Sequence, residues 1–267
     1  MTSLVGDTTP LLNIMQKLRD PETGCPWDRA QSFQTIVPFT IEEAYEVADT
    51  IERMALDELP DELGDLLFQV VFYCQLGKEQ GLFDFNTVVE RICDKLTRRH
   101  PHVFEGLATT STDEIKQNWE QLKAIERSER ALDSVLDDIP LSLPALSRSI
   151  KIQKRVARVG FDWAELPPVV AKIHEEIDEV IFEVEQETVD VQKVQDEMGD
   201  LLFAVVNLAR HLGVEPEKAL RQANHKFERR FRGVEAYAQA DGRAMNEHTL
   251  EELDGYWDSV KQDERNK

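Results

Sequence analysis

The stretch that decides the fold runs from Lys172 to Phe203: Lys172-Ile-His-Glu-Glu-Ile-Asp-Glu-Val180, a polar connection, then Lys193-Val-Gln-Asp-Glu-Met-Gly-Asp-Leu-Leu-Phe203. Two carboxylate pairs, Glu176/Glu179 and Glu197/Asp200, each stand three residues apart, which makes them neighbours across one helical turn. At about 100° per residue, Ile173, Ile177, Val180 and Val184 form the expected buried stripe of the first segment. Lys172, Glu176, Glu179 and Glu183 fall along its flank. In the second segment Leu201, Val205, Leu208 and Leu212 form the stripe, and Lys193, Glu197 and Asp200 share a flank. Packed antiparallel, the two helices bring four carboxylates together at the edge of a bundle core with lysines close by. That is the geometry of a metal site facing an anionic substrate.

The same programme occurs earlier in the chain. Asp61-Glu-Leu-Gly-Asp-Leu-Leu-Phe68 repeats as Asp196-Glu-Met-Gly-Asp-Leu-Leu-Phe203, and Ile41-Glu-Glu-Ala-Tyr-Glu-Val47 as His174-Glu-Glu-Ile-Asp-Glu-Val180. Trp119…Lys123 and Trp257…Lys261 share one spacing. This is an internal duplication. Helical periodicity predicts helices over 10–18, 41–56, 63–76, 86–99 and 113–130 in the first copy. In the second it predicts 144–159, 167–187, 191–212, 216 to about 239, and 250–261. Pro60 reads as a break, Gly77 as a stop, and Trp27 as a packing anchor for its loop. No strand alternation competes, so the fold class is all-α: two tandem helical-bundle domains, 1–130 and 144–267, joined by a proline-broken linker over 131–143. Each copy is short for a large core, so pairing of the copies or of two chains is expected.

Composition narrows the partners. A formal charge of −21 over 267 residues argues against a nucleic-acid polymer or a membrane surface, because polyanions are repelled before contact. It does not oppose small anions held through divalent metals. Cys25, Cys74 and Cys93 form no CxxC and are odd in number, which reads as reduced thiols. With no export-type leader and no apolar run near the roughly 20 residues of a membrane span, the expected location is the cytoplasm.

Four converging carboxylates need compensation, since each like pair near 4 Å costs on the order of 4 kcal/mol at an effective dielectric near 20. All-oxygen donors suit hard Mg²⁺ or Mn²⁺, which also hold substrate phosphates. A di-iron carboxylate bundle would use Glu-x-x-His, and none of the six histidines has a Glu three positions before it. A single acidic helix face is ordinarily solvated surface. Here the acids flank an apolar stripe, and the constellation occurs twice. The copies differ where phosphate would sit: Lys172 aligns with Phe39 and Lys193 with Glu58, so only the second copy sets cations beside its acids. Downstream, Lys226 and Arg230 share a helix face, and Trp257 with Lys261 offers a stacking surface and a cation.

E-E-x-x-E followed by E-x-x-D on the next helix resembles the all-α nucleoside triphosphate pyrophosphohydrolases, and the layout is similar to the two-domain MazG family. Gly24-Cys-Pro-Trp-Asp28, the repeated Asp-Glu-x-Gly-Asp-Leu-Leu-Phe and Lys226-Phe-Glu-Arg-Arg-Phe231 support it across nearly the whole chain. The resemblance implies hydrolysis of NTPs and dNTPs between the α and β phosphates, with Mg²⁺ and homodimeric four-helix cores. The activity expected is broad in base and serves nucleotide-pool housecleaning. Carried over, Glu176, Glu179, Glu197 and Asp200 are metal ligands. Lys172, Glu175, Lys193, Lys226, Arg230, Trp257 and Lys261 match nucleotide-contacting positions, and Glu175 is a candidate for orienting water. The first copy keeps Glu43, Glu46, Glu62 and Asp65 but departs at Phe39 and Glu58. A specialised dUTP or phosphoribosyl-ATP enzyme shares the metal motif but not the duplicated length or the Cys-Pro-Trp-Asp loop. The reading of another class is a nucleotide-sensing or protein-binding module without turnover, which the lysines retained in the second copy argue against.

Overall fold

The computed structural model describes residues 6–104, 111, 114–115, 119, 122 and 134–266. The chain divides into two compact units, Met1–Glu126 and Arg127–Lys267, each described by itself below. The described residues form helices and no strand. The helix expected over 113–130, with Lys123 of the first Trp-x-x-x-Lys pair, lies largely outside the described residues, as does 131–133 of the expected linker.

In the first unit α1 (Thr9–Leu18) leads through a short α2 (Pro26–Ala30) into α3 (Phe33–Glu52) and α4 (Leu59–Glu79), then α5 (Phe85–Arg99) and the single turn α6 (Pro101–Phe104). α3 begins eight residues before the expected start at Ile41. Ser32 and Thr35 form a reciprocal capping box that satisfies the first backbone donors, and Pro38 is carried inside the helix. Pro60 does not interrupt α4 but sits in its first turn, where a missing N–H costs no hydrogen bond. Gly77 does not end α4 either. It is buried because Phe83 lies against it, so close that a Cβ would stand 2.8 Å from Phe83 atoms. The stop is Gly81, in the left-handed region at φ 68°. Met15, Ile36, Val71, Phe72 and Leu76 form the core, with Phe33, Phe39, Phe68, Tyr73 and Phe85 packed around it. Trp27 stands edge-on to Phe39 at 5.6 Å between ring centroids.

The second unit comprises α7 (Ala145–Ala157), α8 (Leu166–Val184), α9 (Val191–His211), α10 (Pro216–Asp241), a 3₁₀ turn (Met245–Glu247) and α11 (Leu250–Arg265). Residues 134–143 of the expected linker pack on this unit: Ile139 is buried, and Arg155 donates to the carbonyls of Val135 and Asp137 at 3.0 and 3.1 Å. α8 and α9 are the main pair, with α7 against α9. α11 doubles back along α10, burying Val234, Ala238 and Val260. Gly233 permits that approach, since a Cβ there would meet Val260 at 2.7 Å.

The apolar stripes need correction. Ile177, Val184, Val205 and Leu212 are 37%, 51%, 45% and 57% exposed, whereas Val169, Ala204 and Val206 are buried. Of the acids on α8, Glu176 turns inward and is 4% exposed, while Glu175, Asp178 and Glu179 stay exposed. In the first unit Ile41 and Ile51 of α3 are exposed while Ile36 and Thr50 are buried.

Candidate metal and substrate site

α8 brings Glu176 and Glu179 onto the side facing α9, which supplies Glu197 from its second turn. Ligand oxygens of these three lie within 4.8 Å of one another. Asp200, one turn further along α9, stands outside that group but lines the adjoining cavity with Glu176 and Lys172. Lys172 is an arm of the cluster: its Nζ lies 2.8 Å from Oε1 of both Glu175 and Glu176. The other buried oxygen of Glu176, Oε2, has no hydrogen-bond partner among the described residues. A buried carboxylate with one oxygen unmet, beside two further acids, is a donor set a hard divalent cation would complete.

The cavity has a volume of about 560 Å³ and is bounded by α7, α8, α9 and the loop between α7 and α8. Gln153 and Val156 line it from α7, Phe161 and Trp163 from the loop, and Phe203 and Asn207 from α9. Asp162 anchors the loop by accepting hydrogen bonds from Arg210 and, at 3.2 Å, from His211. Burial pushes the Asp162 carboxyl up, but Arg210 and then His211 outweigh it and hold it below its ordinary value. Sequence reasoning missed this anchor and the buried Gln153; no motif marks them, and their roles follow from tertiary packing.

The remaining expected contacts lie elsewhere. Lys193 stands 3.7 Å from Glu183. Glu175 opens with Glu179 and Phe182 onto a shallow groove. Lys226 is exposed on α10. Arg230 shares Glu264 with Arg229, donating at 2.9 Å, and its guanidinium lies 5.8 Å from the Trp257 ring centre. Lys261 pairs with Asp258 at 2.8 Å. None of these borders the cavity, whose lining comes from α7 to α9.

In the first unit Glu43, Glu62 and Asp65 form the corresponding group, with oxygens again within 4.8 Å. Gln69 donates to Glu43 at 3.4 Å. Where the second copy has Lys172, Phe39 packs on Trp27. Among the described residues two such acid clusters exist, and only that of the second unit has a lysine in it.

The cost of convergence is visible in the carboxyls. Burial and then neighbouring Glu176 hold Glu179 above its ordinary value; burial followed by Glu46 and Asp65 does the same to Glu43 and Glu62. A carboxyl with a raised folded-state pKa stabilises the fold below its unfolded value, about 4.3 for Glu. It loses that contribution as pH rises through the folded value. Cation-free protein is therefore expected to lose stability as pH rises through this range. Adding Mg²⁺ should raise the melting temperature more at pH 8 than at pH 5. Glu179→Gln should melt higher than wild type in EDTA at pH 8, yet gain less from Mg²⁺. Thermal unfolding at both pH values checks this, and equal Mg²⁺ gains in variant and wild type would remove Glu179 from the ligand set.

Comparison with known proteins places both units in one family. The MazG nucleotide pyrophosphohydrolase domain matches residues 31–104 and 168–234, once in each unit. A nucleoside triphosphate pyrophosphohydrolase of Escherichia coli K12 is 58% identical over 254 residues, covering 95% of this chain and 97% of that protein. The nucleoside triphosphate pyrophosphohydrolase/pyrophosphatase MazG of Thermotoga maritima is 41% identical over 251 residues, covering 94% of each. Among the described residues no helix is long and apolar enough to cross a membrane.

Proposed function

The chain belongs to the MazG family and is a nucleoside triphosphate pyrophosphohydrolase, and we propose that it cuts NTPs and dNTPs between the α and β phosphates from its second unit, with broad base tolerance and a divalent cation. The observation that carries the assignment is Lys172 lodged against Glu176 beside a cavity, where the first unit has Phe39. Glu176, Glu179, Glu197 and Asp200 would hold Mg²⁺, or Mn²⁺ in its place. When bound, the cation supplies charge neutralisation on phosphate oxygens and polarisation of the reacting phosphorus.

The chain's own groups do the rest. Lys172, held protonated by the hydrogen bonds it donates to Glu175 and then Glu176, places a positive charge at the cavity mouth for a phosphate oxygen. That charge is worth most as negative charge develops on the leaving pyrophosphate. Glu175, exposed beside it on a separate groove, would reach an attacking water only outside the cavity and is the candidate for orienting it. The loop pinned by Asp162 and Arg210 walls one side of the cavity beside Lys172.

Dimerisation is part of the proposal. Ile177, Ile181, Met198, Leu202 and Val205 are each 37–52% exposed on α8 and α9. A paired copy would bury such a surface and complete a four-helix core. Pairing would also give Lys193, Lys226, Arg230, Trp257 and Lys261, which one chain leaves away from its cavity, a route to substrate. Cytoplasmic nucleotide-pool housecleaning is the role that fits this chemistry.

The test is pyrophosphate release from the eight common NTPs and dNTPs with Mg²⁺. Turnover of several nucleotides, giving monophosphate and pyrophosphate and lost in EDTA, is the expected result. Turnover of a single nucleotide would replace this reading with a specialised hydrolase. Binding without turnover would point to a sensor.

A further inference from the structure

We infer that Gln153 is a substrate contact: its side-chain oxygen accepts a hydrogen bond from the sugar 3′-hydroxyl of the bound nucleotide. The inference rests on the cavity being the catalytic seat. Gln153 is 4% exposed, yet half its hydrogen-bonding capacity is unused. Its Nε2 donates to the Phe203 carbonyl at 2.8 Å, which sets the face of the amide. Its Oε1 is buried with no partner among the described residues. Such an orphan is costly to keep, and native interiors rarely do so without a ligand or water to meet it. Gln153 borders the cavity shared with Lys172, Glu176 and Asp200. The terminal torsion of a glutamine is soft, so the amide presents the oxygen to an occupant by turning, at the expense of its 2.8 Å bond to the Phe203 carbonyl.

Position selects the group that meets it. Phe203 lies three residues beyond Asp200 on α9, a rise of about 4.5 Å at 1.5 Å per residue. The sugar is the part of a nucleotide bonded directly to the α phosphate, so with the phosphates at Lys172 and Asp200 the sugar reaches Gln153. The base continues toward Phe161 and Trp163, whose aromatic faces stack any base without reading its edge. Because Oε1 can only accept, it requires a donor. A hydroxyl common to ribo- and deoxyribonucleotides is the 3′-OH, so one contact anchors every substrate while leaving base and 2′ position unread. Gln153, Phe161 and Trp163 all lie outside the segments matched by the family domain.

The test compares kcat/KM for ATP, 2′-dATP, 3′-dATP and purine riboside triphosphate on the full-length protein with Mg²⁺. Wild type is expected to process 3′-dATP about tenfold less efficiently than ATP, while 2′-dATP and the purine riboside analogue stay close to ATP. Gln153→Met should bring the ATP/3′-dATP ratio near one; a ratio within one preparation cancels any loss of folded protein. An unchanged ratio in the variant, or wild type indifferent to the 3′-OH, overturns the inference and leaves Gln153 Oε1 to a water. Discrimination against purine riboside triphosphate alone overturns it too, moving the contact to the base. Glu176→Ala in the same assay separates the two levels. Retained turnover there removes the catalytic seat itself, whereas lost turnover with an unchanged Gln153 ratio removes only this contact.

Discussion

Replacing Glu176 by alanine is expected to lower kcat by about 10³-fold or more, whereas Glu43→Ala, the same change in the first copy, leaves most of the activity. The two glutamates occupy matching places in the duplicated motif and both belong to a three-acid group. Their surroundings separate them. Glu176 is buried, with Lys172 on one oxygen and the other unmet beside a cavity of about 560 Å³. Glu43 has a weak 3.4 Å contact from Gln69, and its neighbourhood holds Phe39 packed on Trp27 where a cation would be needed. Removing Glu43 relieves a carboxyl that burial and like charges already hold above its ordinary value, so unfolding is not the expected consequence. Asp200→Ala should resemble Glu176→Ala. Steady-state pyrophosphate release from purified variants, with circular dichroism to confirm the fold, decides the matter. Full loss of turnover in Glu43→Ala would transfer the working site to the first unit.

Helix identity and the two-unit plan were legible in the sequence because they rest on long periodic segments and on an eight-residue motif repeated nearly unchanged. What was not legible is which face of α8 turns inward. Periodicity offers Ile173, Ile177, Val180 and Val184 as one continuous stripe, and nothing local says that a lysine at 172 will neutralise Glu176 well enough for it to be buried instead. Helix starts shifted for a related reason. The Ser32–Thr35 capping box outweighs the expectation that Pro38 marks a boundary. Gly77 was misleading because its role is contact with Phe83, a residue six places on. Of the site, the acids and Lys172 were readable from spacing. Gln153, Asp162 and Arg210 were not, because separate elements bring them to the cavity and no sequence interval relates them.

Lys172→Met is expected to lower kcat by about 10²–10³-fold while leaving the protein folded. The magnitude of each contribution makes that combination possible. The pair with exposed Glu175 is screened and worth on the order of 1 kcal/mol or less to stability. The Glu176 side chain, however, is only 6% exposed, so loss of the lysine leaves a buried carboxylate that must take up a proton or a cation. A positive charge aimed at developing phosphate charge inside a walled cavity is worth several times more in the transition state than in the resting protein. The expected signature is therefore a fall in kcat larger than the rise in KM, with a lowered melting temperature in EDTA that Mg²⁺ restores at least in part. Lys172→Arg should recover only part of the loss: it keeps the charge, but a planar fork replaces an ammonium that sits 2.8 Å from both carboxylates. The reciprocal Phe39→Lys should not create a second active site, because Phe39 belongs to the packed shell around Met15 and Ile36 and its loss opens that core. Single-turnover kinetics on the Lys172 variants give the decisive reading. A Lys172→Met protein with unchanged kcat would show that the lysine only braces Glu176, and the contrast between the two copies would then need another cause.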